Sequence, residues 1–454
     1  MISKSKIIPI AILILFLNNI IVNAQKPLTL RECIKYSLTN NSNIKIANYE
    51  VDISKNKITE KRGNYLPQIN ALGEFDDNIK LPVTLAPGEL LGGAPGTFIP
   101  ITLGSKYKTT GAVQLTQKIY DPLAIYGIQS AKINKEISSQ TLQKTSEQIT
   151  FNICQVYYQT LVIQMQMNVL KSTLTASEQS LKSTELKYNN GMAKKIDVDK
   201  IRVSYNNTKS QLNQSVLSYS QSLNTLKYNM GMPVDSSIAL ADTTINITKY
   251  LLANDTVHKL QMGNIIDYQL QKTNILMMQI SKKTNLAASQ PSLSFYGNYN
   301  YTAMQQKFNF FDGGKSWYPS SSIGINLTIP IFDGLQRRSR VTQSTLNIKK
   351  AEENLLLTEQ SIKVDISNYE IKYKNAISNI ESEKENLDLA ESVYKNTQLD
   401  YQQGAASTLD LIQAETSYMV AQNTYFNKLL DLYIARIDLE RSKGNLMNFI
   451  NNQQ

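Results

Sequence analysis

Leu186-Lys187-Tyr188-Asn189-Asn190-Gly191 and Leu399-Asp400-Tyr401-Gln402-Gln403-Gly404 are one phrase written twice, 213 residues apart. An aspartate follows each glycine by six residues (Asp197, Asp410), and Ser204-Tyr205 matches Ser417-Tyr418. Upstream, Ile119-Tyr120-Asp121 is echoed by Ile331-Phe332-Asp333, and Pro67 by Pro291. A period this long exceeds that of short solenoid units, so each copy is a whole substructure and the chain reads as a tandem duplication. The first repeat spans 25–231 and the second 256–454, with a polar connector at 232–255.

Long helices lie on either side of each phrase. Pro122–Asn189 and Leu335–Gln402 contain no internal proline and almost no glycine. At a rise of 1.5 Å per residue each would span roughly 100 Å. In the second, Ile366, Tyr373, Ile380, Leu387, Tyr394 and Tyr401 recur every seven residues, beside Ile348, Leu355, Ile362, Tyr369 and Ala376. In the first, Ile153, Thr160, Met167, Leu174, Leu181 and Tyr188 form the matching ladder, beside Leu142, Ile149, Val156, Ile163 and Leu170. Sustained seven-residue spacing with polar residues between is coiled-coil patterning. A glycine just past each long helix fits a left-handed cap, and a short turn returns the chain as Lys195–Gly231 and Thr408–Gly444. Each repeat also opens with a helix, near Leu28–Gly63 and Thr256–Ser289.

Four shorter segments change the period from seven to two. Near 66–79 and 106–120, Ile69, Ala71, Phe75, Val113, Leu115 and Ile119 alternate with polar residues. Near 291–303 and 320–332, Leu293, Phe295, Tyr299, Tyr301, Ile323, Ile325, Leu327, Ile329 and Ile331 do the same. Alternation over about ten residues fits strands with one face on lipid and the other on a wet lumen. A soluble sheet with one buried face would alternate in the same way. The connections differ: 80–105 is rich in proline and glycine without periodicity, while 304–319 carries Phe308, Phe310, Phe311, Trp317 and Tyr318. Four strands cannot close a barrel, and open edges are forbidden in lipid. Two, three or four chains would supply 8, 12 or 16 strands, and the count does not choose among them.

Composition narrows the function. Lys4 and Lys6, the apolar Ile7–Leu17 and Val22-Asn23-Ala24 make residues 1–24 a secretory signal, with an uncleaved anchor as the alternative. Beyond it no run of about 18 apolar residues occurs. Net charge is +10, but the charges are interspersed, which argues against nucleic acid as a partner. Cys33 and Cys154, the two cysteines, read as small buried hydrophobes, although export would permit their oxidation. The single histidine (His258), and the lack of a phosphate-binding loop or paired metal-ligand spacing, argue against an enzyme and against any cofactor or metal.

The paired motifs from Leu186 to Val198 and from Leu399 to Leu411 resemble the TolC-like outer-membrane efflux protein family, and the similarity covers about residues 28–450. The opening Leu28-Thr29-Leu30-Arg31-Glu32-Cys33-Ile34 also resembles the family's start, which usually has alanine where Cys33 and Ser37 stand and proline at Ser42. The resemblance implies a homotrimer: mainly α, with four strands per chain completing a 12-stranded β-barrel in outer-membrane lipid, continued by a coiled-coil tunnel through the periplasm. It implies a channel gated at its hairpin tips, with a periplasmic adaptor and an inner-membrane pump as partners. Tyr401 and Asp410, with Tyr188 and Asp197 as their first-repeat counterparts, would face the constriction. Asn190, Gly191, Met192, Gln403, Gly404 and Ala405 would meet the adaptor. Each aspartate is equally placed to cap its returning helix. The family often has arginine two residues after the second tip glycine, as a partner of the tyrosine; here that position is Ala406, and a second acid is replaced by Gln413. A weaker or differently built closed state is therefore expected. The rival reading is a soluble periplasmic coiled-coil scaffold or adaptor, which would leave the four alternating strands unexplained.

Overall fold

The computed structural model describes residues 27–242, 261–310, 312, 314 and 316–451. The expected leader, His258, Phe311 and most of the connector lie outside them. The elements run α1 (Leu30–Asn40), α2 (Ser42–Gly63), β1 (Gln68–Asp77), β2 (Val83–Pro87), β3 (Phe98–Thr102), β4 (Tyr107–Tyr120), α3 (Pro122–Asn189) and α4 (Lys195–Met230). They continue with α5 (Ile266–Ala287), β5 (Ser292–Gln305), β6 (Tyr318–Thr328), α6 (Gln336–Gln403), α7 (Thr408–Ser442) and α8 (Leu446–Asn451). The order helix, strand, strand, long helix, return helix thus occurs twice. Neither repeat is a compact unit by itself. One unit draws on Met1–Ala47, Leu142–Tyr268 and Thr358–Gln454, the other on Asn48–Thr141 and Gln269–Leu357, so each takes residues from both copies.

In the second of these units, β1, β4, β5 and β6 form one antiparallel sheet in that order, leaving β1 and β6 as open edges. Register brings the alternation of all four strands into phase. Ala71 faces Val113, Val113 faces Tyr299 and Tyr299 faces Ser321, while on the opposite face Asn70, Gln114, Asn298 and Ser322 line up. Ile69, Val113, Leu115, Tyr299, Ile323, Ile325 and Leu327 therefore share one apolar face, as strict period-two side chains must. That face is uncovered in the single chain: Ile323 is 81% exposed. The fourth strand ends at Thr328, not near 332 as expected, because Pro330 has no N–H to give a ladder. The connection at 80–105 is also more ordered than expected. Five-residue β2 and β3 pair around a glycine-rich turn, too short for alternation to be legible. In the other connection Phe308 and Phe310 pack edge-on against Phe75, and Trp317 stacks on Tyr301. Asp121 and Asp333 cap the long helices where strands end: Asp121 accepts from Leu123 and Ala124 N–H, Asp333 from Arg337 N–H.

The first unit holds the helical core. Every member of the second-repeat ladder, Ile366, Tyr373, Ile380, Leu387, Tyr394 and Tyr401, is buried. The first-repeat ladder departs from its heptad. Ile153 and Thr160 are buried, but toward the turn Tyr188 is exposed and the buried row is Thr173, Ser177 and Thr184. The expected opening helix is two helices: a capping box between Thr29 and Glu32 starts α1, and Asn41 ends it. The Asn41 amide donates to Asn229 O at 2.7 Å, and its Oδ1 accepts from Asn43 N–H. The connector is tied as well, by a bridge between Leu28 and Leu240 and by the Tyr157 hydroxyl of α3, which donates to Asp242 at 2.6 Å. Cys33 and Cys154 are free and buried, and burial pushes the Cys33 thiol up to about 12. Both thiols thus behave as packing groups.

Candidate functional site

The two hairpin turns share one backbone conformation. At the first, Gly191 (φ 72°) donates to Tyr188 O and Met192 to Lys187 O at 2.8 Å. At the second, Gly404 (φ 81°) donates to Tyr401 O and Ala405 to Asp400 O at 2.8 Å. Glycine takes this left-handed conformation without the penalty of a Cβ, and the bonds satisfy carbonyls the helix end would leave open. Asn190, Met192, Gln403 and Ala405 all stand exposed beside the glycines.

The repeated aspartates are helix caps. Ser407 N–H and its hydroxyl both donate to Asp410 Oδ2, at 3.0 and 2.6 Å, and Asp410 N–H donates back to Ser407 Oγ at 3.2 Å. The Ser407 hydroxyl, then its N–H, hold the Asp410 carboxyl below the usual carboxylate range. Asp197 accepts from Lys194 N–H at 3.3 Å, but Lys194 brings no side-chain cap of its own. The six-residue interval from glycine to aspartate is thus the length of a turn plus the first three positions of a helix. Capping leaves the acids free to face other groups as well.

Tyr401 sits differently. It is 7% exposed, in a cluster with Ile201, Tyr394, Leu411 and Ala414, against which Ala406 packs. Its hydroxyl lies 2.6 Å from Thr184 Oγ1. Thr184 already donates to Ser180 O at 2.7 Å, so Tyr401 is the donor. Lys187 Nζ donates to the Tyr401 carbonyl at 3.0 Å and stands 4.9 Å from its ring centroid. The ends of α3 and α6, from different hairpins, are joined here by a hydroxyl bond and a cation against an aromatic ring. Sequence reasoning named Tyr401 and noticed the missing arginine, but missed Thr184 and Lys187. The cation comes from the first hairpin, not from the turn after Gly404. The one available signal was the hydroxyl row Thr173, Ser177, Thr184, which a search for apolar ladders passes over. Tyr188, the first-repeat counterpart, is exposed and does not join the cluster. Among the described residues no group of three or more acids, cysteines or histidines is placed to hold a metal.

A tandem-repeat chain with an apolar-faced open sheet and tip-joined helical hairpins defines an outer-membrane channel subunit. Comparison with known proteins agrees. The family model described as "Outer membrane efflux protein" matches residues 33–232 and 281–445, and the chain belongs to that family. "Outer membrane protein TolC" of Vibrio cholerae is 20% identical over 402 residues, covering 87% of this chain and 86% of that protein. The protein of the same name from Escherichia coli K12 is 21% identical, over 74% of this chain and 70% of its own length. Among solved structures, CusC superposes with a TM-score of 0.72 at 15% identity, covering 91% of each chain. VceC of Vibrio cholerae gives 0.69 at 14%, over 91% of this chain and 96% of its own. The protein is therefore an outer-membrane efflux channel of the TolC family, and the soluble-scaffold reading is set aside. Among the described residues no helix is long and apolar enough to cross a membrane, and in this fold the sheet presents the apolar face.

Proposed function

We propose that this chain is the passive exit duct of a tripartite efflux or secretion system, closed at its hairpin tips and opened by contact with a periplasmic adaptor that serves an inner-membrane pump. The observation that carries the gate is the Tyr401 tether to Thr184 and Lys187. A net hydrogen bond contributes about 1 kcal/mol and an accessible cation–π contact about 0.5–1 kcal/mol. Releasing it therefore costs roughly 2–3 kcal/mol per copy, well within what a protein contact supplies. Asn190–Met192 and Gln403–Ala405 offer exposed backbone beside flexible glycines, which suits them as the adaptor's landing points.

Assembly follows from the edges. Each neighbouring strand pair is antiparallel, so β1 and β6 run in opposite directions. The β6 edge of one copy is oriented to pair with the β1 edge of the next, and three copies give the family's 12-stranded homotrimer, with no edge left in lipid. Copies of Asp410, with Asp197 and Tyr188, would then ring the entrance and draw cations.

The gate is tested in planar bilayers. Thr184→Val with Lys187→Gln should raise single-channel conductance of the assembled trimer; unchanged conductance defeats the latch. Asp410→Ala should abolish divalent-cation block while Ser407→Ala, which removes only the cap, does not. Equal effects of the two would reduce Asp410 to its capping role.

A further inference from the structure

Glu415 on α7 is a carboxylate only 5% exposed. Among the described residues it forms no ion pair. One oxygen accepts a hydrogen bond from Ser177 Oγ of α3, and the other accepts from Ser204 Oγ of α4 at 2.9 Å. One turn along α7, the Tyr418 ring stacks on Tyr394 of α6, with centroids 5.5 Å apart and planes at 7°. Burial, then the Glu415 charge, push the Tyr394 phenol up. All four long helices therefore meet around one acid. The repeated Ser204-Tyr205 and Ser417-Tyr418 motif acquires two different uses here, since Ser204 binds the acid and Tyr418 flanks it. Glu415 itself has no first-repeat match: its counterpart is Arg202, which is exposed and paired with Glu185 at 2.7 Å.

An acid is a costly choice at a helical seam. A buried carboxylate without a cation loses its hydration, which two hydroxyl bonds recover only in part. Leucine would pack at such a position, as Leu411 does one turn earlier. What the acid supplies instead is register, because only one axial setting of α3, α4 and α7 satisfies both oxygens. Its place matters too. Ser177 lies seven residues, about 10 Å of helix, from the latch residue Thr184. On its other side a groove of about 560 Å³ opens between α3 and α4, lined by Gln159, Gln166, Gln211 and Gln214. Farther from the turns, Tyr158 of α3 stacks on Tyr433 of α7, with centroids 4.6 Å apart.

We infer that Glu415, held by Ser177 and Ser204, is the stop of the gate: it pins the second hairpin to both helices of the first, so that releasing Tyr401 frees only the segment between this pin and the turns. The inference rests on the reading of Tyr401 as a latch. Glu415 is a positioning residue, acting through helix register and not on the transported molecule.

Spin labels on the full-length trimer test it. One pair, at Leu186 and Leu399, reports the latch end; a second, at Ser172 and Leu389, reports the far side of the pin. With Thr184→Val and Lys187→Gln, the first pair should shift to longer distances and the second should not move. Adding Glu415→Leu should spread the shift to the second pair. Adding Glu415→Gln, which still bonds both serines, should keep it confined. A second pair that moves while Glu415 is intact, or stays fixed in Glu415→Leu, overturns the stop and leaves the latch standing. A first pair that never moves removes the latch and the stop together.

Discussion

Gly191 and Gly404 turn the hairpins; Gly231 and Gly444 end the returning helices, each 40 residues later. All four have positive φ, between 68° and 81°, and all four follow a helix. Their surroundings are opposite. A Cβ at either tip glycine would meet nothing within 4 Å. At Gly231 it would lie 2.7 Å from Asn41 Cα, and at Gly444 2.8 Å from Asn264 O. The same sequence signal thus serves a free turn at one end of a helix and a jammed junction at the other. In each repeat the returning helix ends against the segment that opens that repeat, while nothing in the chain crowds the turn.

The comparison breaks most visibly at the jammed pair. Gly231→Ala or Gly444→Ala combines left-handed strain with overlap against backbone that cannot step aside, and should cost about 3–5 kcal/mol. The readout is the melting temperature of the purified trimer, which should fall sharply or be lost with the folded species. Gly191→Ala and Gly404→Ala carry the backbone strain alone, about 1 kcal/mol, and should shift that temperature little. Equal losses at tips and junctions would erase the distinction.

The two tips can also be set against each other. Ser407→Ala should weaken the start of α7 by about 1 kcal/mol, read as faster amide exchange at Thr408–Leu411. Lys194→Ala, which removes no side-chain cap, should leave the start of α4 within about 0.5 kcal/mol. The smallest effect is on pH. Because the folded Asp410 titrates below its ordinary value, near 3.9 for a free aspartate, its cap contribution is complete above that value. It is lost as pH falls through the lower folded one. Protection of α7's first turn should therefore drop in acid, and Ser407→Ala should flatten that dependence.

Much of the fold was legible because its signals are periodic. The α6 ladder from Ile366 to Tyr401 was readable since one apolar residue per seven is a burial statement in itself. The four strands were readable because one face had to be apolar. The α3 ladder failed near its turn for a physical reason. There the helices approach through Ser177 and Thr184, whose hydroxyls bond across the seam to Glu415 and Tyr401. A hydrophobic pattern counts such residues as solvent-facing. The strand pair at 83–102 was missed because five residues hold too little alternation, and Asn41 because a single side chain breaks a helix that propensity would continue.

The sequence by itself determined the duplication, the helix and strand periods, the capped turns and the family, all of which depend on spacing along the chain. Only the tertiary structure decided which side chains meet. Lys187, on the first hairpin, supplies the cation that the turn after Gly404 lacks, Thr184 meets the Tyr401 hydroxyl, and Glu415 is buried between two serines. Those pairings join residues about 210 to 240 positions apart in the chain, and helix packing geometry, which no local pattern encodes, sets them.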